Sequence, residues 1–520
     1  MPKWLQDAVF YEIYPQSFFD TNGDGIGDFE GIIQKLDYIR DLGCNALWIN
    51  PCFDSPFKDA GYDVRDYLRT APRYGSNDDL KRVFSEARRR DMRVLLDLVP
   101  GHTAEDHPWF IESAQAHPKT CRNRYIWTNH CFTRPEGLGF IGGETARAAV
   151  YITNFFKCQP ALNYGFLKPA EAWQLPADHP DCLETRAAMK EVMRFWLDAG
   201  CDGFRVDMAA SLVKHDDEKK SGTSAVWRDI RSMLDRSYPE AALVSEWSNP
   251  TEAIGAGFHA DFLLAFFENS GYQSLFRDYR LDEYNQACGE DRSFFRKDGG
   301  GGIERFLKDY LFHYENTKDA GFISLVTGNH DLTRLRHTLS PEEIALACAF
   351  IFTMPGVPFL YYGDEIGMRY LNNLPTKEGG YYRTGSRTPM QWNTGKNKGF
   401  STAQADKLYL PVDPAEDAPT VEAQEKDPSS LLNTVKSLLR LRRGDADLRG
   451  CPNLEILCAK PGNTPFIYRR GRFVMALNPR NEACAAPLAL RGDAVYAIGS
   501  CETDGASCRM GAQSFGVWRV

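Results

Sequence analysis

The sequence has neither a long apolar run nor an excess of positive charge. No stretch of about 18 apolar residues occurs in its 520 residues, so no membrane-spanning helix is expected. The formal net charge is −9, and the charged residues are spread along the chain rather than gathered into tails. Because nucleic acids and anionic membranes select basic patches, we expect neither as a partner.

The chain also lacks the cysteine pattern of a small secreted protein. Its 14 cysteines include no Cys-x-x-Cys pair, and several lie in apolar segments, where a reduced thiol behaves as a small hydrophobic group. The first residues contain no uninterrupted apolar core and no small-residue cleavage site, so no signal peptide is expected. These features predict a cytoplasmic protein.

The length exceeds what one hydrophobic core supports, so two or three domains are expected. The first part of the chain alternates short apolar strands with amphipathic helices, which is typical of a parallel α/β sheet. We predict eight strands, at Val9–Tyr14, Ala46–Ile49, Val94–Leu98, Gly203–Val206, Leu243–Ser245, Phe262–Leu264, Ile323–Val326 and Phe359–Tyr361. Eight strands fit a (β/α)8 barrel, although a doubly wound sheet shows the same alternation.

Two segments do not follow this alternation. Residues 102–170 are rich in aromatic residues, glycine, histidine and proline, and a structureless loop of that length would be unusual in a compact domain. We therefore predict a small inserted domain there, between barrel segments 1–101 and 171–445. Residues 446–520 contain short alternating segments bounded by glycine, asparagine and proline, which predict an antiparallel β-domain.

Charged side chains lie where several predicted strands end. They are Asp97 and His102, Arg205 and Asp207, Glu246, and His330 with Asp331. Residues two apart on a strand share a face, and the C-terminal strand ends of a (β/α)8 barrel carry its chemistry. In a barrel, these side chains would therefore converge at one mouth.

Two of these acids suit glycoside hydrolysis, in which one carboxylate attacks the anomeric carbon and another protonates the leaving oxygen. Arg205 lies beside Asp207 and favours its charged form, so Asp207 is the predicted nucleophile. Glu246 has no basic neighbour in the sequence and is the predicted acid/base. Asp331 is predicted to bind sugar hydroxyls and to stabilise positive charge in the transition state.

In this order, the segments resemble the short motifs of glycoside hydrolase family 13, the α-amylase family. The matching segments are DLVPGH (97–102), QPALN (159–163), GFRVD (203–207), SEW (245–247) and TGNHD (327–331). The resemblance covers nearly the whole chain. It implies a TIM barrel with an inserted B domain after strand 3 and a C-terminal antiparallel β-domain. It also implies a structural role for Asp97 and substrate-binding roles for His102, Arg205 and His330.

Two further segments, GYDV (61–64) and SRTPMQW (386–392), resemble the α-glucosidase and oligo-1,6-glucosidase branch of this family. In that branch Tyr62 would stack on the glucose in the cleavage pocket. Asp63 and Arg387 would hold its outermost hydroxyls through charge-assisted hydrogen bonds. The resemblance thus implies a closed pocket and cleavage from the non-reducing end.

Some positions depart from the family patterns. α-Amylases usually carry a Lys-His pair where this chain has Ala210 and Ser211, which argues against an open endo-acting cleft. Met208, directly after the predicted nucleophile, is typical of neither α-1,6 nor α-1,4 enzymes, so the sequence does not predict which linkage is cleaved. Ala161 replaces the usual Asp of the B-domain motif, so substrate length is not predicted.

A loop after the first strand places oxygen ligands at alternate positions around a glycine turn, as a hard cation requires. The candidate ligands are Asp20, Asn22, Asp24, the Ile26 carbonyl and Asp28. The loop resembles the one that holds Ca²⁺ or Mg²⁺ in oligo-1,6-glucosidases, although a plain Asx-turn loop has the same composition. We expect one structural Ca²⁺, with Mg²⁺ as an alternative, and no organic cofactor.

The prediction is a retaining, exo-acting α-glucosidase that acts on α-1,4 or α-1,6 bonds of short α-linked gluco-oligosaccharides, as a monomer or small homo-oligomer. A transglucosylase or isomerase such as a trehalose synthase-like enzyme would use the same intermediate, and an α-amylase is a further alternative. A non-catalytic binding module is the remote alternative, because the chain keeps Asp207, Glu246 and Asp331.

Overall fold

Eight parallel strands form one sheet. Strands that are neighbours in this sheet are consecutive in the chain, except that the last strand lies beside the first. The computed structural model describes residues 1–264, 271–282, 287–460 and 464–520. We number the strands β1 to β8: Phe10–Ile13, Ala46–Ile49, Arg93–Leu98, Gly203–Val206, Ala242–Ser245, Ala260–Phe262, Phe322–Ser324 and Phe359–Tyr361. Their order in the sheet is β7-β6-β5-β4-β3-β2-β1-β8. Val326 adds a parallel bridge to Phe359, so the two ends of this order also meet.

This arrangement confirms the predicted (β/α)8 barrel. Every residue of β1, β2, β4 and β5 is buried, as expected where helices cover one side of a strand and packed side chains fill the other. The helices are Phe29–Leu42, Asn77–Arg88, Pro108–Ser113, Pro180–Ala199, Ser221–Ser237, Pro250–Gly255, Gln273–Phe276, Glu304–Thr317, Pro341–Thr353, Val421–Glu425 and Leu431–Gly444.

The position of β6 differs from the prediction. The apolar run Phe262–Leu264 predicted the strand, whereas the structure begins it at Ala260 and ends it at Phe262. Asp261 therefore lies inside the strand, opposite Ser245 of β5, and its side chain is fully buried. Hydrogen bonds to a buried carboxylate offset its desolvation, so an acid occupies a position that the apolar pattern assigns to a loop.

Outside the barrel, the segment predicted as an inserted domain contains an antiparallel pair of strands, Phe140–Gly142 and Val150–Ile152. Near the C-terminus one sheet has five strands: Leu454–Cys458, Phe466–Arg470, Phe473–Asn478, Ser514–Arg519 and Tyr496–Ile498. Another has three: Cys484–Pro487, Ser507–Met510 and Cys501–Thr503. The antiparallel C-terminal sheets are confirmed, and the predicted domain limits stay a prediction. The described residues also contain two short strand pairs, Phe53–Asp54 with Asp66–Thr70 and Arg280–Leu281 with Ala287–Cys288.

Contacts divide the chain into two compact units. The first unit consists of residues 1–2, 48–261 and 376–380, and the second of residues 3–47, 262–375 and 381–520. All 14 cysteines are free thiols. In the described ranges, no helix has the length and apolar character needed to cross a membrane. The cytoplasmic location and the oligomeric state stay predictions.

Candidate active site

A buried arginine of the first unit contacts three carboxylates. The Arg205 guanidinium on β4 places Nη1 2.8 Å from Asp97 Oδ1 and 3.0 Å from Asp207 Oδ1, and Nη2 2.7 Å from Glu246 Oε1. Burial by itself lowers the pKa of Arg205, but the surrounding acids, led by Asp97 and Glu246, raise that pKa well above its usual value. The guanidinium is therefore a permanent cation among these acids.

The three acids differ in how far solvent reaches them. The Asp97 side chain is 0% exposed, whereas the side chains of Asp207 and Glu246 are 10% and 12% exposed. Asp97 also accepts hydrogen bonds from Trp48 Nε1 at 3.1 Å and from the Tyr62 hydroxyl at 2.9 Å. Asp97 is thus enclosed by protein donors, as its predicted structural role requires, while the other two acids reach the surface.

Glu246 has a cation partner that the sequence did not show. It has no basic neighbour along the chain, yet it contacts the same guanidinium as Asp207. Its second oxygen, Oε2, accepts the Met208 amide at 3.1 Å. Because Arg205 faces both acids, this cation alone does not decide which is the nucleophile, and the assignment depends on the motif in which each acid lies.

His102 uses both ring nitrogens inside the protein. Nε2 lies 3.0 Å from the Tyr62 carbonyl oxygen, and Nδ1 lies 3.2 Å from the Asn154 side-chain amide. Burial lowers the pKa of His102 to about 4, so the ring is neutral, with Nε2–H donating and Nδ1 accepting. Lys214 holds the other end of Asn154 through a 2.9 Å bond from Nζ to Oδ1. The substrate-binding role of His102 stays a prediction.

Asp63 is fully buried and organises its own loop. Its Oδ1 accepts the Ser55 hydroxyl at 3.0 Å and the Asp59 amide at 3.1 Å, and its Oδ2 accepts the Lys58 amide at 2.8 Å. Burial raises the pKa of Asp63 to about 6, although these donors act in the opposite direction. The contacts of Asp63 and Tyr62 with a terminal glucose stay predictions.

In the second unit, Asp331 faces three basic side chains. Its Oδ1 lies 2.7 Å from Arg383 Nη1 and 3.0 Å from Arg387 Nη2, and its Oδ2 lies 3.1 Å from His330 Nε2. Burial by itself would raise the pKa of Asp331, but these neighbours hold it well below the usual range. Asp331 is therefore a fixed anion.

His330 lies between two carboxylates. Its Nδ1 is 2.9 Å from Glu12 Oε1 on β1, while its Nε2 faces Asp331. Burial by itself lowers the pKa of His330, but Asp331 and Glu12 raise it overall, which favours the imidazolium form. Its carbonyl accepts Arg387 Nε at 2.8 Å. The ring thus holds Asp331 in place, and its predicted contact with substrate stays a prediction.

Comparison with known proteins identifies the family. The family model "Alpha amylase, catalytic domain" matches residues 12–450. The chain belongs to the α-amylase family. It is therefore a glycoside hydrolase that acts on O-glycosyl bonds, and the resemblance read from the sequence motifs is confirmed.

Relatives of this α-amylase-family enzyme differ in their named activities. It is similar to a trehalose synthase/amylase of Mycolicibacterium smegmatis, with 33% identity over 85% of this chain and 77% of the relative. It is 31% identical to a glucan 1,6-alpha-glucosidase of Streptococcus pneumoniae, over 92% of each chain. The crystal structure of the trehalulose synthase from Pseudomonas mesoacidophila MX-45 matches with a TM-score of 0.80 and 22% identity, over 100% of both chains. That structural likeness shows the fold.

The sequence prediction for this α-amylase-family enzyme did not include three residues that contact candidate site residues or their chain neighbours: Glu12, Arg383 and Asp261. Glu12 carried a usable signal, because an acid inside the apolar strand Phe10–Ile13 repeats the pattern that marked Asp97. Arg383 carried no such signal, since it belongs to a loop and only its contact with Asp331 distinguishes it.

The predicted metal loop closes on itself through hydrogen bonds. Both oxygens of Asp20 accept hydrogen bonds, from the amides of Asn22, Gly23 and Gly25 within the loop and from the hydroxyl of the distant Ser401. Asp28 likewise accepts the amides of Thr21 and Gly31. Within the residues that the structure describes, no group of three or more His, Cys, Asp or Glu side chains is arranged to hold a metal ion. The oxygen-rich set suits Ca²⁺ chemically, but binding would have to exchange these bonds, and the metal stays a prediction.

Proposed function

We propose that this α-amylase-family enzyme is a retaining, exo-acting α-glucosidase for short α-linked gluco-oligosaccharides, with α-1,4 or α-1,6 bonds as its targets. One observation carries the proposal. Asp207 and Glu246 lie on one buried guanidinium, and of the three acids there, only these two have partly exposed side chains. Two accessible carboxylates on one guanidinium supply the pair that the retaining mechanism needs, in which one acts as nucleophile and the other as acid and then base.

In the proposed reaction Asp207 attacks the anomeric carbon while Glu246 protonates the leaving glycosidic oxygen. Glu246 then removes a proton from water, which cleaves the glucosyl–Asp207 bond and returns both side chains to their starting forms. The third proposed catalytic residue, Asp331, is ionised by its basic neighbours. A fixed anion can bind sugar hydroxyls and stabilise oxocarbenium-like charge, but it is a poor proton donor.

The exo mode is supported by two motifs and one relative. The motifs that contain Tyr62, Asp63 and Arg387 resemble those of the glucosidase branch, and a relative that covers 92% of this chain is named a glucan 1,6-alpha-glucosidase. A maltoheptaose blocked at its non-reducing end tests this mode. An exo-acting α-1,4 enzyme should degrade free maltoheptaose and leave the blocked form intact, and for an α-1,6 enzyme a free and a blocked isomaltoheptaose give the same comparison; equal cleavage of the free and blocked forms would contradict the proposal.

Transglucosylation is the second candidate, because a relative 33% identical to this chain is named a trehalose synthase/amylase. The same glucosyl-enzyme intermediate would then react with a sugar hydroxyl instead of water. Incubation with maltose, isomaltose, sucrose and trehalose, followed by product identification, separates the two activities. Hydrolysis releases free glucose, whereas an isomerase returns a new disaccharide of unchanged mass.

Trapping of the intermediate tests the assignment of the nucleophile. A 5-fluoro-glucosyl fluoride forms a slowly hydrolysed glycosyl ester, so peptide mass spectrometry should find the label on Asp207. A label on Glu246 would reverse the proposed roles, and a label elsewhere would overturn the site. The variant Asp207→Asn is the matched control and should remain unlabelled.

A further inference from the structure

A buried aspartate beside the proposed acid/base has no part in the reaction described so far. Asp261 lies on β6, opposite Ser245 of β5, and its side chain is 0% exposed. Its Oδ1 accepts the Ser245 hydroxyl at 2.6 Å and the Trp247 amide at 3.0 Å, and its Oδ2 accepts the Asn249 amide at 2.9 Å. Each of these partners is a neutral donor.

All of these donors belong to the short turn that carries Glu246. Ser245 precedes Glu246, and Trp247 and Asn249 follow it. Ser248 of this turn has a φ of 61°, a left-handed conformation that a residue with a side chain keeps only when its surroundings hold it. A carboxyl group that accepts hydrogen bonds from several amides of one turn restrains the backbone conformation of that turn.

The turn has a direct consequence for Glu246. With the backbone in this conformation, Glu246 Oε1 lies 2.7 Å from Arg205 Nη2, and Glu246 Oε2 accepts the Met208 amide at 3.1 Å. Asp261 contacts the residues on both sides of Glu246 and none of the groups that face substrate in the proposed site. Its influence on the acid/base therefore passes through the backbone.

We propose that Asp261 is the positioning residue for the acid/base Glu246, which it holds by anchoring the turn Ser245–Asn249. The inference rests on the proposed function, because it assumes that Glu246 donates the proton to the leaving group. Asp261 itself touches no reacting atom.

The hydrogen bonds between Asp261 and the turn can form whether its carboxyl group is ionised or protonated. Burial raises the pKa of its carboxyl to about 8, against the pull of its donors. When Oδ1 is protonated, the Ser245 hydroxyl can accept that proton as a hydrogen bond and donate its own to the Ala260 carbonyl, 3.3 Å away. The amides of Trp247 and Asn249 keep their acceptors in either case.

The isosteric variant Asp261→Asn breaks this arrangement with little change in volume. An amide has one acceptor oxygen and one donor nitrogen, so either the Trp247 or the Asn249 amide would face an N–H group. Asp202→Asn is a control for the loss of a carboxylate in the same unit, although Asp202 also pairs with Arg88 and Arg93. The Asp202 side chain is 9% exposed and also accepts a backbone amide, that of Val94 at 3.0 Å, but it contacts no residue of the Glu246 turn.

The experiment compares kcat/KM for two aryl α-glucosides, phenyl and 2,4-dinitrophenyl. Phenol is a poor leaving group that needs a proton from Glu246, whereas dinitrophenolate leaves without one. For Asp261→Asn we expect a loss on the order of tenfold or more with the phenyl glucoside and less than about threefold with the dinitrophenyl glucoside. Asp202→Asn should change both values by the same factor.

Equal losses on both glucosides, or wild-type values on both, would overturn the inference. If Asp261→Asn does not fold, Ser245→Ala decides instead, because it removes one donor and should show the same selective loss at smaller size. A wild type that cleaves neither glucoside contradicts the proposed function itself. An active wild type with no selective loss in either variant contradicts only the role of Asp261.

Discussion

The acids of the two units differ in the charges around them. In the first unit, Asp97, Asp207 and Glu246 all contact Arg205. In the second, Asp331 contacts His330, Arg383 and Arg387. Like charges disfavour ionisation and opposite charges favour it.

These different surroundings suit different chemical roles. In the first unit three carboxylates contact one guanidinium, and the two that solvent reaches are the proposed nucleophile and the proposed acid/base. An acid surrounded by cations stays an anion, which suits the binding of hydroxyls and of developing positive charge. The surroundings thus leave two acids accessible in the first unit and keep one acid ionised in the second.

The largest expected effect is loss of the proposed nucleophile. Asp207→Asn should lower kcat by roughly 10⁴-fold or more, because an amide cannot form the glucosyl ester. Steady-state glucose release measures it, and circular dichroism checks that the variant is folded. A loss below about tenfold would mean that another side chain is the nucleophile.

The next effect concerns the proposed acid. Glu246→Gln should lower kcat/KM for phenyl α-glucoside by about 10² to 10⁴-fold and spare the dinitrophenyl glucoside. Azide should restore turnover with the activated substrate, since a small nucleophile needs no general base. If azide gives no rescue and both glucosides suffer equally, Glu246 is not the acid/base.

A smaller loss is expected in the second unit. Arg383→Ala removes one cation from Asp331, while Arg387 and His330 remain. We expect kcat/KM to fall by about tenfold, on the order of 1.4 kcal/mol. Arg336→Ala is a control from the same unit, since the guanidinium of Arg336 bonds to the Leu339 carbonyl. A loss as large as that of Asp207→Asn would remove the contrast between the units.

Stability should depend on pH through His330. Its folded pKa lies above the usual 6.5 because Asp331 and Glu12 outweigh burial. The contribution of this pKa shift to the free energy of unfolding is fully present below pH 6.5, and it is lost as the pH rises through the folded pKa. Glu12→Gln removes part of it, so the Tm difference from wild type should be larger at about pH 6 than at about pH 9. A constant difference would show that the His330–Glu12 contact carries no proton linkage.

The smallest effect is expected for calcium. Because Asp20 and Asp28 already accept loop donors, Ca²⁺ should raise Tm by only about 1 to 4 °C over the EDTA-treated protein. Asp24→Ala should abolish the shift, and elemental analysis should find about one metal per chain. No shift and no bound metal would identify the segment as a plain Asx-turn loop.

Much of the proposed site could be read from local pattern. Arg205 and Asp207 share a strand face through the two-residue period, and Glu246 and Asp331 follow apolar strands. Gly43 and Gly200 follow amphipathic segments in the sequence, a position typical of helix ends, and both take a φ of 114° after their helices, a conformation favoured by glycine. Each of these predictions needs only residues that are close together in the chain.

Contacts between distant residues could not be read in this way. Glu12 and His330 are 318 positions apart, and Arg205 and Asp97 are 108 positions apart. Asp261 was missed because the predicted strand began at Phe262, one residue after it, and because only donors from the end of β5 and the turn after it make its burial favourable.

By itself, the sequence determined the family and most of the barrel strands and named the candidate acids, because strand periodicity and short motifs are local properties. Only the tertiary structure decided which acids share a cation, which of them solvent reaches and what anchors the Glu246 turn. Those properties depend on side chains that meet after folding, and the ionisation of a buried acid depends on all the charges and donors gathered around it.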